Sequence, residues 1–336
     1  MVAKSILLLM FPLSFCITTY GQKDLRKFEV SDSIIYSSTP GIHARALVLH
    51  GETLFVGTNT GELFSIDKKN EVRSDFEKSS FREIRDLALL DGKLIAMASG
   101  DSSALLVYNM SSGEIEEIIR FDGVFLDGMD VFNSDLLLMG DPVHGQFSLF
   151  TYSFAEGLSK LDSPKSVKGE AGYAASGSTV HFLNDGSKCF ITGGMASRCF
   201  VQTPNTSKWI EVPLPFAKGK TSGPYSLCIE NDIWIAVGGD YLKPESKEGN
   251  GFYSLDSGKT WTKCSNGPQG YRSCVIKHKD AFIACGTNGI DISMDGKSWY
   301  KELGRRGFSM ISNKSKLIVS CPNGTLLFLE INPKSK

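Results

Sequence analysis

Beyond its first seventeen residues the sequence has no apolar run near the ~20 residues that a membrane helix needs, so no membrane insertion is expected. Neither sign of charge dominates: 36 Lys and Arg face 37 Asp and Glu, a formal net charge of −1. That balance excludes a global field able to hold nucleic acid or an anionic membrane surface, and leaves any charged partner to a local patch. There is no CxxC, no paired Cys/His spacing of a zinc site, no haem attachment motif and no strand-GxGxxG-helix pattern. No metal and no cofactor is therefore expected. A sustained helical period is missing as well. What is plentiful is glycine, 34 in 336 residues, about one in ten against an average near 7%. With 41% hydrophobic and 22% charged residues the chain is too apolar for disorder. Many short strands joined by tight turns are the remaining expectation.

The first residues carry a different signal. Lys4, the apolar run Ile6 to Ile17 broken by Pro12, and the small residues Thr19 and Gly21 read as a secretory signal peptide over residues 1–21, cut before Gln22. A single domain over 22–336, exported to the periplasm or beyond, is the expectation that follows. Export permits disulfides. Of the seven cysteines left after Cys16 is removed, most lie in strand-like runs and read as small buried hydrophobes. Cys189 and Cys199 flank the Gly193-Gly194 turn almost symmetrically and are the disulfide candidates.

One phrase recurs along the mature chain: a short apolar strand, a turn, a second apolar strand ending in Gly or another small residue, then a third strand. Its copies begin at Ala44, Ile84, Leu126, Ser176, Gly223, Gly270 and Gly307. Arg45 and Ser309, at the two ends of this series, are 264 residues apart over six intervals, a mean of 44, within the period of four-stranded propeller blades. A fourth strand follows a weaker signature, fullest in YSLDSGKTW from Tyr253 and shorter in SMDGKSW from Ser293. Its turn needs an Asp to cap backbone N–H groups, a Gly at positive φ and a Trp to pack between blades. The seventh unit ends without room for a fourth strand, and Lys27 to Ser38 reads as the spare strand that completes it. The prediction is an all-β, seven-bladed propeller of four-stranded antiparallel blades, closed by the N-terminal strand so that no edge is left open.

Ser254, Asp256, Gly258, Thr260 and Trp261, with Ser293, Asp295, Gly296 and Trp299, resemble the Asp-box (BNR) repeat of sialidase-like propellers. The segments FREIRDLA, FLDGMD, GDPVHGQF, ITGGMASRCFV, VGGDY, GYRSC and ACGTNGIDIS are similar to exported bacterial propellers related to the photosystem II stability and assembly factor, over residues 40 to 330. The resemblance implies a helper that holds a protein segment through arginines. Relatives of this kind often carry an oxidoreductase label, which no residue of this sequence explains.

Asp-box turns belong to one face of a propeller and functional loops to the other, so the Asp-box residues read as structural. On the functional face the strand starts and loops supply Arg45, Arg85, Arg272, Asp127, Asp141, His144, Arg198, Asp240 and Tyr271. Arg45, Arg85 and Arg272 each start an inner strand, and three guanidinium forks meeting at the channel mouth would suit a carboxylate. The alternative is that each pairs with a neighbouring acid and ties blades together. The charged stretch Asp240 to Asn250 is a candidate lid or partner contact. A sialidase would need an arginine triad and a Tyr activated by Glu, which Glu170 and Tyr173 could only mimic locally. The expectation is a monomeric, non-enzymatic binding or assembly scaffold for a protein, a peptide or an acidic small ligand. The alternatives are an oxidoreductase whose cofactor leaves no trace in the sequence and a degenerate sialidase-like glycoside hydrolase.

Overall fold

The structure, a computed structural model, describes residues 26–313 and 315–333; the signal-peptide expectation lies outside them. The described residues contain strands and turns and no helix. Seven four-stranded antiparallel sheets follow one another as blades. Their innermost strands are Ala44–His50, Glu83–Leu90, Leu126–Phe132, Val180–Phe182, Ser222–Glu230, Cys274–His278 and Ser309–Ser312. Inner strands of neighbouring blades touch, except that blade 4 meets blade 5 through Gly193–Gly194 and through the Leu227 N–H on the Ser178 carbonyl at 2.8 Å, and the last touches the first, so the blades form a closed ring.

The sequence pattern within a blade follows from its place in that ring. A second strand is covered on both faces by adjacent blades, so it reads as a continuous apolar run, as in Lys93–Ser99, where every residue after Lys93 is buried. An outer strand has solvent beside it and takes charge, as in Ile115–Phe121 with its two glutamates and an arginine. The hydrophobic core is accordingly divided into one cluster per blade interface, seven in all, plus a small aromatic cluster at the channel. Trp234 and Trp299, both about 1% exposed or less, fill the interfaces between blades 4 and 5 and between blades 5 and 6.

Inner strands are also stitched sideways by side chains. Asp86 accepts the Met129 N–H at 2.9 Å, Asp130 accepts Phe182 N–H at 2.7 Å and Ser226 accepts Val275 N–H at 2.8 Å. Each of these polar groups is taken up by the next blade, so none is left to water in the ring.

The seventh blade is completed as the sequence predicts. Arg26–Ile35 pairs antiparallel with Thr325–Pro333, from Arg26 opposite Pro333 to Ile35 opposite Thr325, with a bulge between Val30 and Asp32. The turns at Ser254 to Trp261 and Ser293 to Trp299 make the hydrogen bonds expected from their sequence. Asp256 accepts from the Ser254 hydroxyl at 2.6 Å and from the Thr260 N–H at 2.9 Å, Gly258 sits at φ 79°, and the Trp261 indole N–H donates to the Gly258 carbonyl at 3.1 Å. Asp295, Gly296 and Trp299 repeat the arrangement in one residue fewer. These hydrogen bonds, from the Ser254 hydroxyl first, hold the Asp256 carboxyl at about 2. Ser257 donates to Asp232 at 2.8 Å, in the turn joining inner and second strands, which fixes these boxes at the end of the ring away from the cavity described next.

Candidate functional site

A β-bulge at the start of the inner strand is what aims side chains into the channel. In blades 1, 2, 3 and 5 the register slips by one residue, between Ala44 and Ala46, Ile84 and Asp86, Leu126 and Gly128, and Pro224 and Ser226. The extra residues are Arg45, Arg85, Asp127 and Tyr225, turned out of the ladder toward the axis. Ser273 and Phe308 hold the same place in blades 6 and 7, immediately before the first paired residue, their N–H groups bonding to Cys285 and Ser320 carbonyls at 2.8 and 2.9 Å. All six line one cavity of about 550 Å³ at the channel mouth.

Blade 4 contributes differently. Gly172 to Ser176, preceding its inner strand, crosses the channel and forms the floor of the cavity. The Gly172 N–H donates to Asp141 at 3.0 Å, the Ala174 carbonyl accepts from Arg85 Nη1 at 2.7 Å, the Ala175 carbonyl accepts from Arg45 Nη1 at 3.2 Å, and Ser176 Oγ donates to the Ser273 carbonyl at 2.9 Å. Small residues suit this position. A Cβ on Gly172 would lie 2.2 Å from Asp127 Oδ2, so only glycine lets the floor settle on that carboxyl.

The wall of the cavity is sorted by chemistry around the ring. Arg306, Arg45 and Arg85, from blades 7, 1 and 2, make a cationic sector, with Phe308 beneath the Arg45 and Arg306 guanidinium groups at 5.4 and 4.8 Å. Burial, and then the Arg85 charge, lower the pKa of Arg45 from its ordinary value. Each of Arg45 and Arg85 gives one N–H to the floor, and Arg85 also ion-pairs with Glu83. A guanidinium has five donors, so donors remain for a ligand.

Blade 3 supplies two carboxyls, Asp127 and Asp141. Asp127 is 1% exposed and its Oδ2 has no hydrogen-bond partner among the described residues. Burial, with the Asp141 charge second, holds it well above the usual carboxylate range, against the pull of Arg85. Asp141 is raised by burial too. Blades 4 to 6 supply tyrosines. Tyr173 stacks on Tyr225 with centroids 4.1 Å apart and planes 3° apart, and Tyr271 meets Tyr225 edge-on at 4.8 Å. Burial pushes Tyr173 up to about 12 and raises Tyr271 further, so both stay neutral hydrogen-bonding phenols.

Of the sequence-chosen residues, the cavity brings together Arg45, Arg85, Asp127, Asp141 and Tyr271. Four others lie elsewhere. Arg272 is fully buried and bound to Asp291 through Nε at 2.7 Å and Nη2 at 2.6 Å, and to Asn288 and the Tyr271 carbonyl through Nη1. It lies ahead of the inner strand Cys274–His278, its N–H on the Gly238 carbonyl of blade 5 at 3.0 Å, and Ser273 takes the place toward the axis. Arg198 is buried against Glu170 and Glu211, with a further bond to the Lys165 carbonyl. Glu170 is thereby committed to an ion pair and is not the activating partner of Tyr173. His144 is exposed at a hairpin tip, in a left-handed conformation at φ 53°. Asp240 caps its own loop, accepting from Thr221 Oγ1 at 2.6 Å and the Leu242 N–H at 3.0 Å. That loop, the candidate lid, is pinned to blade 6 by the Tyr271 N–H on the Pro244 carbonyl at 2.9 Å and by Asn288 on Glu245 at 2.9 Å.

Arg306 and Lys220 line the cavity without having been singled out by sequence. The adjacent pair Arg305-Arg306 in GRRGF, just ahead of the last inner strand, was the available signal. The disulfide candidates are both buried free thiols with sulfurs 3.7 Å apart. They are not directly opposed: Cys189 faces Val201 and Cys199 faces Ile191, so the pair is diagonal.

No protein-family model matches the chain, and no curated protein matches it. Its shape is similar to the WD40 domain of Neurospora crassa Pan2, at TM-score 0.60 and 12% identity, covering 92% of this chain and 96% of that one. It is also similar to the computationally designed Ika8 protein, at TM-score 0.59 and 12% identity, covering 87% and 97%. At such identity the likeness is one of fold alone.

Proposed function

We propose that the chain is an exported, monomeric binding propeller of the Asp-box type, whose channel-mouth cavity captures a carboxylate, on a small acid or on a polypeptide segment. One observation carries the reading: bulges on adjacent blades point Arg45 and Arg85 into the same cavity as Arg306. Guanidinium forks stay charged and match a carboxylate in two parallel hydrogen bonds, and partial burial strengthens both. The rigid ring lowers the entropy lost on binding. The resemblance of the sequence to the photosystem assembly factor family supports the same mode of action, a segment held through arginines, and the reading of residues 1–21 as a signal peptide supports export. The sialidase-like alternative loses two of its parts, because Arg272 and Glu170 are each used up in buried ion pairs. The oxidoreductase alternative gains nothing from the cavity lining, which carries neither Cys nor His.

The test is binding of N-acetylphenylalanine, and of short peptides with free or amidated C-termini, to the protein and to an Arg45→Ala/Arg85→Ala variant. Free acids are expected to bind, and amidation or the double substitution to weaken binding at least tenfold. Equal affinity for free and amidated forms, unchanged in the variant, overturns the reading.

A further inference from the structure

The carboxyl pair in blade 3 has no part in capturing an anion. Asp141 and Asp127 both line the cavity, Asp127 the deeper with Oδ2 buried and without a hydrogen-bond partner among the described residues, and both lie next to the cationic sector rather than across the ring from it. A site built only for a carboxylate gains nothing from two acids beside its arginines, since like charges next to an anion oppose it. An orphaned buried acceptor is also costly unless something occupies it.

We infer that the cavity binds a zwitterion of amino-acid size, its carboxylate on Arg45 and Arg85, its ammonium on Asp141 with Asp127 behind, and an apolar side chain against the tyrosines of blades 4 to 6. The inference rests on the carboxylate reading above and narrows it. A cavity of about 550 Å³ is in the range of small-molecule sites. The three sectors follow the ring in the order cation, acid, aromatic, with Lys220 at the rim of blade 5 the one cation outside the first, and they complement the carboxylate, the ammonium and the apolar side chain of an α-amino acid. The Tyr173–Tyr225 stack offers a flat, rigid apolar wall.

The arrangement has a chemical signature. Facing the two carboxyls are Arg85 from blade 2, Tyr173 and the Gly172 and Ala174 amides of the floor, and each other. Without a ligand, burial and then the Asp141 charge favour the protonated form of Asp127. A bound ammonium reverses that preference, because an opposite charge favours the ionised acid. The Asp127 carboxylic acid O–H then gives its proton to solvent, and the resulting carboxylate supports from behind the ammonium held by Asp141. Binding a zwitterion releases up to one proton; binding a plain acid releases none.

Calorimetric titration of the unaltered protein with phenylalanine, N-acetylphenylalanine and phenylalanine amide, each in two buffers of different ionisation enthalpy, decides the matter. Phenylalanine is expected to bind at least tenfold more tightly than either analogue and with net proton release. Asp141→Asn and Asp127→Asn are expected to erase its advantage over the N-acetyl form while retaining Arg85-dependent binding of that form. If N-acetylphenylalanine binds as tightly as phenylalanine and without proton release, the zwitterion inference is overturned and the carboxylate reading stands. Absence of binding by both overturns the zwitterion inference together with the small-acid form of that reading. Since proton release is read on the unaltered protein, a poorly folding variant leaves the outcome intact.

Discussion

Arg272 and Ser273 are neighbours in sequence, yet one closes a buried ion pair and the other faces the channel. The difference is one position along the chain, and it sets opposite expectations for apparently similar arginines. Removing one partner of a buried pair leaves an uncompensated charge, so Arg272→Ala should lower unfolding stability in urea by about 3–5 kcal/mol while leaving ligand affinity within threefold. Arg85→Ala should do the reverse, costing about 1 kcal/mol of stability for its lost hydrogen bond and most of the binding. A second residue-scale expectation concerns pH. Asp86 is buried between blades 2 and 3, and burial raises its carboxyl to about 8. In the unfolded chain it titrates near 4, so between about pH 4 and 8 the folded state holds a proton that the unfolded state has lost. Stability must therefore fall as pH rises through that window, by on the order of 1 kcal/mol per pH unit for such a group, and Asp127 acts in the same direction. Asp86→Asn should flatten the slope of melting temperature against pH. A wild-type protein that grows more stable from pH 5 to 8 would count against an Asp86 kept protonated. Arg45 and Arg85 could be picked from sequence because each follows the first apolar residue of its unit. Arg272 misled because GYRSC resembles those starts while its strand lacks their paired bulge, and a one-residue offset has no mark in composition.

At the scale of the element, strands and their order were readable because each blade repeats the same burial problem. A doubly covered second strand must be apolar, an outer strand must be polar, and the hairpins that join successive strands favour Gly or Asn. Blade 4 was least legible, since its inner strand is only Val180–Phe182 and the work of filling the channel passes to Gly172 to Ser176. Nothing in GYAASGS announces a segment that crosses the axis; its small residues fit equally well in a loop. The closing strand Arg26–Ile35 allows a direct check. Deleting it bares the edge of Thr325–Pro333, a strand with Leu326, Leu327, Phe328, Leu329 and Ile331 buried, and such an edge pairs with other chains. The truncated protein should elute as oligomers or aggregate in size-exclusion chromatography, whereas the full chain elutes as a single discrete species. Trp299→Ala, which empties a blade interface, should cost about 3–5 kcal/mol without altering elution.

Taken whole, the ring distributes its core into seven interfaces between neighbouring blades. The cavity exists only when the ring is closed, because its wall draws on every blade and its floor is held by arginines from two of them. The feature that closes the ring also has a consequence for how the polypeptide can be rewritten. Arg26 and Pro333 are direct partners across the last ladder, so the two described ends of the chain lie side by side. A circular permutant, with those residues joined by a short linker and new termini cut at the exposed Asp122-Gly123 turn, keeps every blade and exchanges a noncovalent clasp for a covalent one.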